Sequence, residues 1–265
     1  MMFVTIFQLL LIFFIVAYLS FNMIYLIRVS PLKETLVKYP YISICIPARN
    51  EERDIKKCVE SLLNQDYPNF EIIVVDDNSR DNTAKIVCSM AEEHSNLKVV
   101  AGAQLEPGWM GKPYALYQAY QKSQGQYLLF TDADLTYKSN ALKTVMHTMV
   151  YKDLDLLTLM PAAIFGSFWE RAVQPVIFGF IASLTNFQKV NSAGHQNAMG
   201  FGAFLLFKKE SYQKIGGHLS VANEILEDIM IAKKAKSHGL SILVADGKHL
   251  FSIRMYHSIK EIWIG

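Results

Sequence analysis

The stretch that most constrains the fold of this chain is an apolar run that stops at two carboxylates. The run is Tyr127–Phe130, and Asp132 and Asp134 follow it one residue apart. Such a run predicts a buried strand of a parallel sheet, and open parallel sheets bind ligands just beyond the carboxyl ends of their strands. Two neighbouring carboxylates repel each other unless a positive group lies between them. An isolated pair is also compatible with a solvated turn, so the rest of the chain decides between these interpretations.

Strand-like and helix-like segments alternate on the N-terminal side of this stretch. The strand-like runs are residues 41–46, 71–75 and 97–101, and apolar residues recur at helical spacing within 55–63 and 83–91. Short turns separate these segments. The alternation predicts an α/β fold with a mostly parallel sheet.

Polar residues follow the first strand and precede a later helix. Asn50 is predicted to cap the helix after the first strand, with the charge of Glu51 favourable in its first turn. Two glycines and Lys112 occupy the loop at residues 108–112. Free backbone N–H groups at the following helix would suit an anionic group, although a plain surface turn fits this loop as well. Neither a P-loop nor a dinucleotide-binding glycine motif is present.

The N-terminal segment is apolar and free of charge over residues 1–27. A membrane-spanning helix needs about 20 mainly apolar residues, so residues 1–28 are predicted to form one, followed by a linker at residues 29–40. A buried core helix is the alternative. Arg28, Lys33 and Lys38 follow the apolar segment, and the positive-inside rule then predicts a cell-membrane protein whose downstream domain is cytoplasmic.

Composition excludes several other classes of protein. The net charge is only +2, which gives no indication of a nucleic-acid partner. The three cysteines have no paired spacing, so neither a zinc site nor a disulfide framework is predicted.

Four motifs in a fixed order resemble glycosyltransferase family 2. They are Ile46-Pro47-Ala48-Arg49-Asn50-Glu51, Val75-Asp76-Asp77-Asn78-Ser79, Gly108-Trp109-Met110-Gly111-Lys112 and Asp132-Ala133-Asp134. The resemblance implies a catalytic domain with the glycosyltransferase-A fold at residues 41–257. The third motif, together with Arg254-Met255-Tyr256, is similar to a membrane-anchored branch that includes the 4,4'-diaponeurosporenoate (carotenoid) and hopanoid-associated glycosyltransferases.

This resemblance implies roles for the motif residues. A nucleotide-sugar donor, expected to be a UDP-sugar, would be bound by Pro47, Ala48, Asn50, Glu51, one or other of Asp76 and Asp77, Lys112, Asp132 and Arg254. Arg254 could equally be a surface or salt-bridged arginine. A Mn²⁺ or Mg²⁺ ion would be held by Asp134 and Asp132, because such ions favour a few carboxylates together with phosphate oxygens.

The resemblance also implies an acceptor side in the second half of the chain. Asp228 would be the general base and Glu227 a supporting catalytic residue, although acids near a helix start are common for dipole reasons alone. Gly202 and His218 are candidate acceptor contacts. Relatives often have a Gly-Gln pair where this chain has Gly202-Ala203, so a glutamine contact to the acceptor is not expected, and a lone histidine is more often structural.

The second half also contains segments that the motifs do not cover. Residues 168–189 predict a helix whose uncharged part is too short to span a bilayer, so it is either interfacial or an ordinary core helix. Met199 to Phe207 is predicted to be a strand, and a helix is predicted at residues 223–237. Residues 258–265 are interpreted as the start of a membrane-associated region that relatives continue.

Together these features predict an inverting, metal-dependent glycosyltransferase. It would move a sugar from a nucleotide-sugar to a hydroxyl or carboxyl of a lipid-like acceptor at the cytoplasmic membrane face. Two alternatives stay open. A processive polysaccharide synthase is disfavoured because the Gln-x-x-Arg-Trp motif is absent, and a non-catalytic membrane protein that retains the fold is disfavoured because Asp132, Asp134 and Asp228 are intact.

Overall fold

A seven-stranded sheet forms the centre of the computed structural model, which describes residues 2–30 and 38–264. The strands in chain order are β1 Ile42–Ala48, β2 Phe70–Asp76, β3 Leu97–Ala101, β4 Tyr127–Phe130, β5 Leu135–Tyr137, β6 Leu156–Met160, β7 Ala162–Ala163, β8 Leu205–Lys208, β9 Ile242–Asp246 and β10 Phe251–Ile253. The large sheet has the order β3-β2-β1-β4-β8-β6-β9, and β5, β10 and β7 form a small second sheet.

Helices cover both faces of the large sheet. The helices in chain order are α1 Met2–Ile24, α2 Ile55–Leu63, α3 Thr83–Glu93, α4 Gly111–Lys122, α5 Ala141–Tyr151, α6 Phe168–Leu184, α7 Phe187–Val190, α8 Lys209–Lys214, α9 Glu227–Ser237 and α10 Ile259–Ile264, with a 3-10 turn at Gly217–Val221; α1 extends away from the sheet. The central strands are mainly apolar because helices bury them on both sides. Each fully buried aliphatic side chain contributes about 1.5–3 kcal/mol of hydrophobic stabilisation.

The register of the sheet brings the chemically interesting strand ends together. β1 is parallel to β2 on one side and to β4 on the other, with Ala48 opposite Asp76 and Cys45 opposite Phe130. The residues that follow these three strands therefore leave the sheet at the same edge. The antiparallel strand β8, which pairs with β4 and β6, is the exception to the parallel arrangement of the large sheet.

The N-terminal helix α1 has little contact with the rest of the chain over most of its length. Within the described residues, Thr5–Ile24 is the one helical segment long and apolar enough to cross a membrane. At its end the chain joins the sheet, since Val29 N donates to Asp246 O and Asp246 N donates to Ile27 O. Residues 31–37 of the predicted linker lie outside the described residues.

Several predicted boundaries are corrected by the structure. Asn50 does not cap α2, because the helix begins at Ile55 and the N-cap position is Asp54. Asn50 instead has a left-handed backbone, with φ of 58°. The helix predicted at residues 223–237 begins only at Glu227.

The other two corrections fall between residues 168 and 208. The strand predicted from Met199 is confined to Leu205–Lys208. The helix predicted at residues 168–189 is split, with α6 ending at Leu184 and α7 starting at Phe187.

Candidate active site

A cavity of about 340 Å³ opens at the edge of the sheet where β1, β2 and β4 end. The predicted site residues that line it are Pro47, Ala48, Glu51, Asp77, Lys112, Asp132 and Asp134. They come from four separate motifs, and the parallel register of the strands is what brings them together. Arg49, Ile253 and Met255 also line the cavity.

The floor of the cavity concentrates negative charge around Asp134. Its Oδ1 atom is buried and has no hydrogen-bond partner among the described residues. Burial, and then the charges of Asp132 and Glu51, raise the pKa of the Asp134 carboxyl to about 7. Burial and the neighbouring acids, of which Asp54 contributes most, likewise raise the pKa of Glu51 to about 7. A cation in this part of the cavity would relieve both the repulsion and the unpaired oxygen.

Lys112 supplies positive charge beside Asp132 in the cavity. Its Nζ lies 2.7 Å from Asp132 Oδ1 and 3.2 Å from Glu227 Oε1. Burial would lower the pKa of Lys112, but the two carboxylates outweigh burial and raise it above the usual value. Lys112 is the second residue of α4, which starts at Gly111, so free backbone N–H groups lie close to its charge. This corner of the site is suited to an anionic group such as a diphosphate.

Asp228 follows Glu227 at the start of α9 and lies close to Lys112. Its Oδ2 accepts a hydrogen bond from Gly202 N at 2.7 Å, and its Oδ1 accepts one from Ile229 N at 2.8 Å. Burial raises the pKa of Asp228, although the two backbone hydrogen bonds and Lys112 oppose the increase. A carboxylate that is held in place and made more basic by burial is suited to accept a proton.

Close backbone packing is what places Asp228 there. A Cβ atom added to Gly200 would lie only 2.1 Å from Asp228 O, so a side chain cannot fit between these segments. A Cβ atom on Gly202 would lie 3.1 Å from Lys112 Nζ and 3.3 Å from Asp228 Oδ2. Gly202 thus contacts the catalytic candidates themselves, and its predicted contact with an acceptor stays a prediction.

Seven predicted site residues do not line the cavity: Gly202, Glu227 and Asp228, which lie beside Lys112 as described above, and Asn50, Asp76, His218 and Arg254. Asn50 turns its side chain toward the next loop, where Oδ1 accepts a hydrogen bond from Arg80 N at 2.8 Å. Asp76 ends β2, whereas its neighbour Asp77 lines the cavity and pairs with Arg49 at 3.4 Å. Of the two aspartates proposed for the nucleotide base, Asp77 is therefore the better placed.

Arg254 and His218 also have other partners. Arg254 Nε and Nη2 donate to both carboxylate oxygens of Glu170, at 3.1 and 3.0 Å. This ion pair holds the pKa of Glu170 far below its usual value. Arg254 is thus salt-bridged and does not line the cavity. Its neighbours Ile253 and Met255 do.

The acceptor contact predicted for His218 does not fit the structure. His218 has no exposed surface; its Nδ1 lies 2.8 Å from the Tyr212 hydroxyl and its ring packs edge-on against Phe130. A side chain enclosed in this way cannot contact a bound acceptor. Burial, assisted by the charge of Lys112, lowers the pKa of His218 to about 3, so the ring is neutral at physiological pH.

The sequence contained signals for the cavity residues that were not predicted. Arg49 lies inside the first motif, between residues that were predicted. Ile253 and Met255 flank Arg254. The prediction of Arg254 therefore identified the correct segment, but the side chains that line the cavity are those of its two neighbours.

The family profile described as "Glycosyl transferase family 2" matches residues 43–216, which include the three strand ends at the cavity. The chain belongs to this family. The family predicted from the motifs is confirmed.

Curated relatives of this family-2 chain include the 4,4'-diaponeurosporenoate glycosyltransferase of Staphylococcus aureus. The two sequences are 28% identical over 228 residues, which are 84% of this chain and 59% of the relative. The chain thus spans about three fifths of the length of the curated relatives it matches.

Solved structures confirm the glycosyltransferase-A fold. A mannosyltransferase from Pyrobaculum calidifontis, in complex with GDP-Man and Mn²⁺, covers 94% of this chain with a TM-score of 0.67 and 18% identity. The match covers 67% of that structure. S. aureus TarS 1-349 in complex with UDP covers 84% of this chain, and 62% of its own length is matched, with a TM-score of 0.59 and 19% identity.

Proposed function

We propose that this chain is a glycosyltransferase that moves a sugar from a nucleoside-diphosphate sugar, with a UDP-sugar as the expected donor, to a lipid-like acceptor at the cytoplasmic membrane face. The observation that carries the proposal is the cavity in which Lys112 pairs with Asp132 while a buried oxygen of Asp134 has no hydrogen-bond partner among the described residues. A diphosphate together with a divalent cation matches this arrangement of charge. The structural neighbours support the donor class, since one contains GDP-Man with Mn²⁺ and another contains UDP.

The donor would occupy the cavity with its base toward β1 and β2. Pro47, Ala48 and Asp77 line that side, and Asn50 and Asp76 support the same loops. The diphosphate would lie near Lys112 and the N-terminus of α4. Arg254 would act by holding the segment of Ile253 and Met255 against the cavity through Glu170, so we assign it a positioning role in place of direct contact.

The residues present fit a divalent cation such as Mn²⁺ or Mg²⁺. Asp134 offers a buried oxygen that has no hydrogen-bond partner within residues 2–30 and 38–264, and Asp132 lies in the same cavity. The described residues contain no cluster of three or more His, Cys, Asp or Glu side chains that could hold a metal alone. This agrees with an ion that takes its remaining ligands from phosphate oxygens and water. Such an ion would stabilise the negative charge of the departing nucleoside diphosphate.

Asp228 would act on the acceptor. The acceptor oxygen attacks the anomeric carbon while the bond from that carbon to the donor phosphate oxygen breaks, and a hydroxyl acceptor gives its proton to Asp228. Lys112 offsets the charge that develops on the leaving diphosphate, and Glu227 keeps Lys112 in position. Direct attack with one base inverts the configuration of the anomeric carbon.

The acceptor class changes what Asp228 has to do. The name of the S. aureus relative indicates a carboxylic acid acceptor, and an ionised carboxylate has no proton to remove. Replacement of Asp228 should therefore lower transfer to a hydroxyl acceptor by about 10²- to 10⁴-fold, and transfer to a carboxylate acceptor much less.

A transfer assay on the detergent-solubilised full chain tests the proposal. UDP-sugars and GDP-mannose labelled in the sugar are incubated with a bacterial lipid extract, with Mn²⁺ or with EDTA. We expect Mn²⁺-dependent label in the organic phase for the wild type, and for Glu210→Gln, whose side chain is exposed on α8, as a matched control. Label in a long water-soluble polymer, or no metal-dependent transfer with any donor, would contradict the proposal.

A further inference from the structure

Helix α6 buries two polar side chains, Glu170 and Gln174, and exposes many of its apolar ones. Glu170 and Gln174 are only 0% and 2% exposed, whereas Val176, Phe180 and Leu184 are 71%, 65% and 73% exposed. The three exposed residues are spaced i, i+4 and i+8, so they form one stripe along the helix. This arrangement is the reverse of a helix that covers a core and faces water.

The C-terminal end of α6 is fixed to the N-terminal helix by Asn22. This residue is buried, although it lies in the mainly apolar α1. Its amide nitrogen donates to the carbonyl oxygens of Ala182 and Thr185, and its amide oxygen accepts from Phe187 N at 3.0 Å. These hydrogen bonds set where α6 lies along α1.

The two helices also approach each other at the middle of α1. A groove of about 610 Å³ separates them, lined by Phe14 and Ile15 from α1 and by Val176 and Phe180 from α6. The apolar segment Thr5–Ile24 has 20 residues, which extend over about 30 Å at 1.5 Å per residue. Phe14 and Ile15 are at its centre. The exposed stripe of α6 therefore lies beside the midpoint of a helix that has the length of a bilayer core.

We infer that the part of α6 from residue 176 to residue 184 lies within the lipid hydrocarbon, beside α1. This inference rests on the membrane anchoring included in the proposed function. Residues 172–188 carry no charged side chain, and a helix satisfies its own backbone hydrogen bonds, so this segment meets the requirements of a lipid environment. The partner of the exposed stripe is the bilayer, because a stripe at the depth of the α1 midpoint faces lipid.

The consequence is a direct connection between the bilayer and the donor cavity. The N-terminal turn of α6 is tied to Arg254 by Glu170, and Ile253 and Met255 beside Arg254 line the cavity. A lipid acceptor would thus meet the enzyme along a helix whose other end supports the cavity wall.

Site-directed fluorescence in vesicles tests the inference on the full chain. Cys88 is the exposed cysteine, while Cys45 and Cys58 are buried, so Cys88→Ser provides a background for labelling. Single cysteines are introduced by Phe180→Cys in α6, Leu11→Cys in α1 and Lys57→Cys in α2, and each is labelled with an environment-sensitive NBD fluorophore. The vesicles contain phosphatidylcholine and phosphatidylglycerol with a nitroxide at the middle of the acyl chain, and iodide serves as the aqueous quencher.

The inference predicts that the label at position 180 behaves like the label at position 11. Both should have blue-shifted emission, be quenched by the lipid nitroxide and resist iodide, whereas the label at position 57 should be quenched by iodide alone. Leu184→Cys and Val176→Cys repeat the measurement if Phe180→Cys does not fold.

Three outcomes would overturn the inference, and they separate it from the anchor. Lipid quenching at position 11 with iodide quenching at position 180 would leave the anchor intact and place α6 in water. A label at position 180 that is shielded from both quenchers would mean that protein, such as a second copy of this chain, covers the stripe. Loss of lipid quenching at both positions would reject the membrane anchor itself.

Discussion

Space around the Asp228 carboxylate is limited, and Gly202 sets that limit. The Gly202 N–H orients Asp228 Oδ2, and a Cβ atom at this position would approach both that oxygen and Lys112 Nζ. The neighbours would have to move by a few tenths of an ångström. Positioning of reacting groups is sensitive to shifts of this size.

Gly202→Ala should therefore lower sugar transfer by roughly tenfold and change donor affinity little. Transfer is measured as label in lipid product, and donor affinity by calorimetric titration. Gly194→Ala is the matched control, because a Cβ atom there has no described residue other than its chain neighbours within 4 Å, and Gly194 lies outside both the cavity lining and α6. Unchanged transfer in Gly202→Ala, or an equal loss of donor binding, would contradict this role of Gly202.

The acidity of Asp134 gives the site a predictable dependence on pH. Its pKa is raised to about 7 by burial, Asp132 and Glu51, so the carboxyl is protonated below pH 7 in the metal-free protein. Metal binding requires the deprotonated form, and a proton must leave before the metal enters. The Mn²⁺-dependent affinity for UDP should be constant above pH 8. Below pH 6 this affinity should fall about tenfold per pH unit for each proton that the metal displaces from the site.

Titrations of UDP between pH 5.5 and 8.5, with and without Mn²⁺, measure this dependence. Binding in EDTA should not share the loss at acidic pH. A metal-dependent affinity that is flat over this range, or that improves toward acidic pH, would mean that Asp134 does not hold the ion.

Sequence patterns could predict which segments form the site, but less well which side chains face it. The motif residues Asp77, Lys112, Asp132 and Asp134 were predicted and line the cavity. Arg254 was predicted as a donor contact, yet it pairs with Glu170, 84 residues earlier in the chain. No local pattern reveals a partner at that separation. The burial of His218 likewise depends on long-range packing against Phe130.

At the scale of elements, the junction of α1 with α6 and α7 depends on one polar side chain. Asn22 satisfies two carbonyl groups and one N–H group where α6 ends and α7 begins. A buried backbone group that loses its hydrogen-bond partner lowers the free energy of unfolding, even when the helix around it stays formed.

Asn22→Ala should lower the free energy of unfolding by about 1–3 kcal/mol, because Thr185 O and Phe187 N lose the hydrogen bonds to Asn22, while Ala182 O keeps Thr185 N as a partner. The midpoint of thermal unfolding in detergent should fall accordingly. Ser20→Ala, at an exposed position of the same helix, is the control for loss of a polar side chain. Equal midpoints in the two variants would show that the Asn22 hydrogen bonds do not support the junction.

Element boundaries show where local patterns are overridden. The apolar residues before Glu227 suggest a helix from residue 223, but Ile225 and Leu226 are exposed and α9 begins after them. The strand predicted from Met199 starts only at Leu205, where pairing with β4 and β6 begins. Pairing between distant strands, and not propensity, sets both ends of β8.

At the scale of the whole molecule, the first half was more predictable than the second. Long apolar runs that alternate with helical segments determine a parallel α/β arrangement, and β1, β2 and β4 follow it. The small sheet of β5, β10 and β7 contains strands of only two or three residues, which are too short for a sequence pattern to reveal. The antiparallel position of β8 between β4 and β6 is also a long-range property.

The central claim is that the sheet edge forms a metal-dependent nucleotide-sugar site. Its most direct test is calorimetric titration of UDP into the detergent-solubilised chain, with and without Mn²⁺, on the wild type, Asp134→Asn and Asp228→Asn. A parallel titration with GDP identifies the base. We expect binding that requires both Mn²⁺ and Asp134 and that survives Asp228→Asn, because Asp228 acts on the acceptor. Binding that ignores Mn²⁺, or that is lost equally in both variants, would contradict the claim.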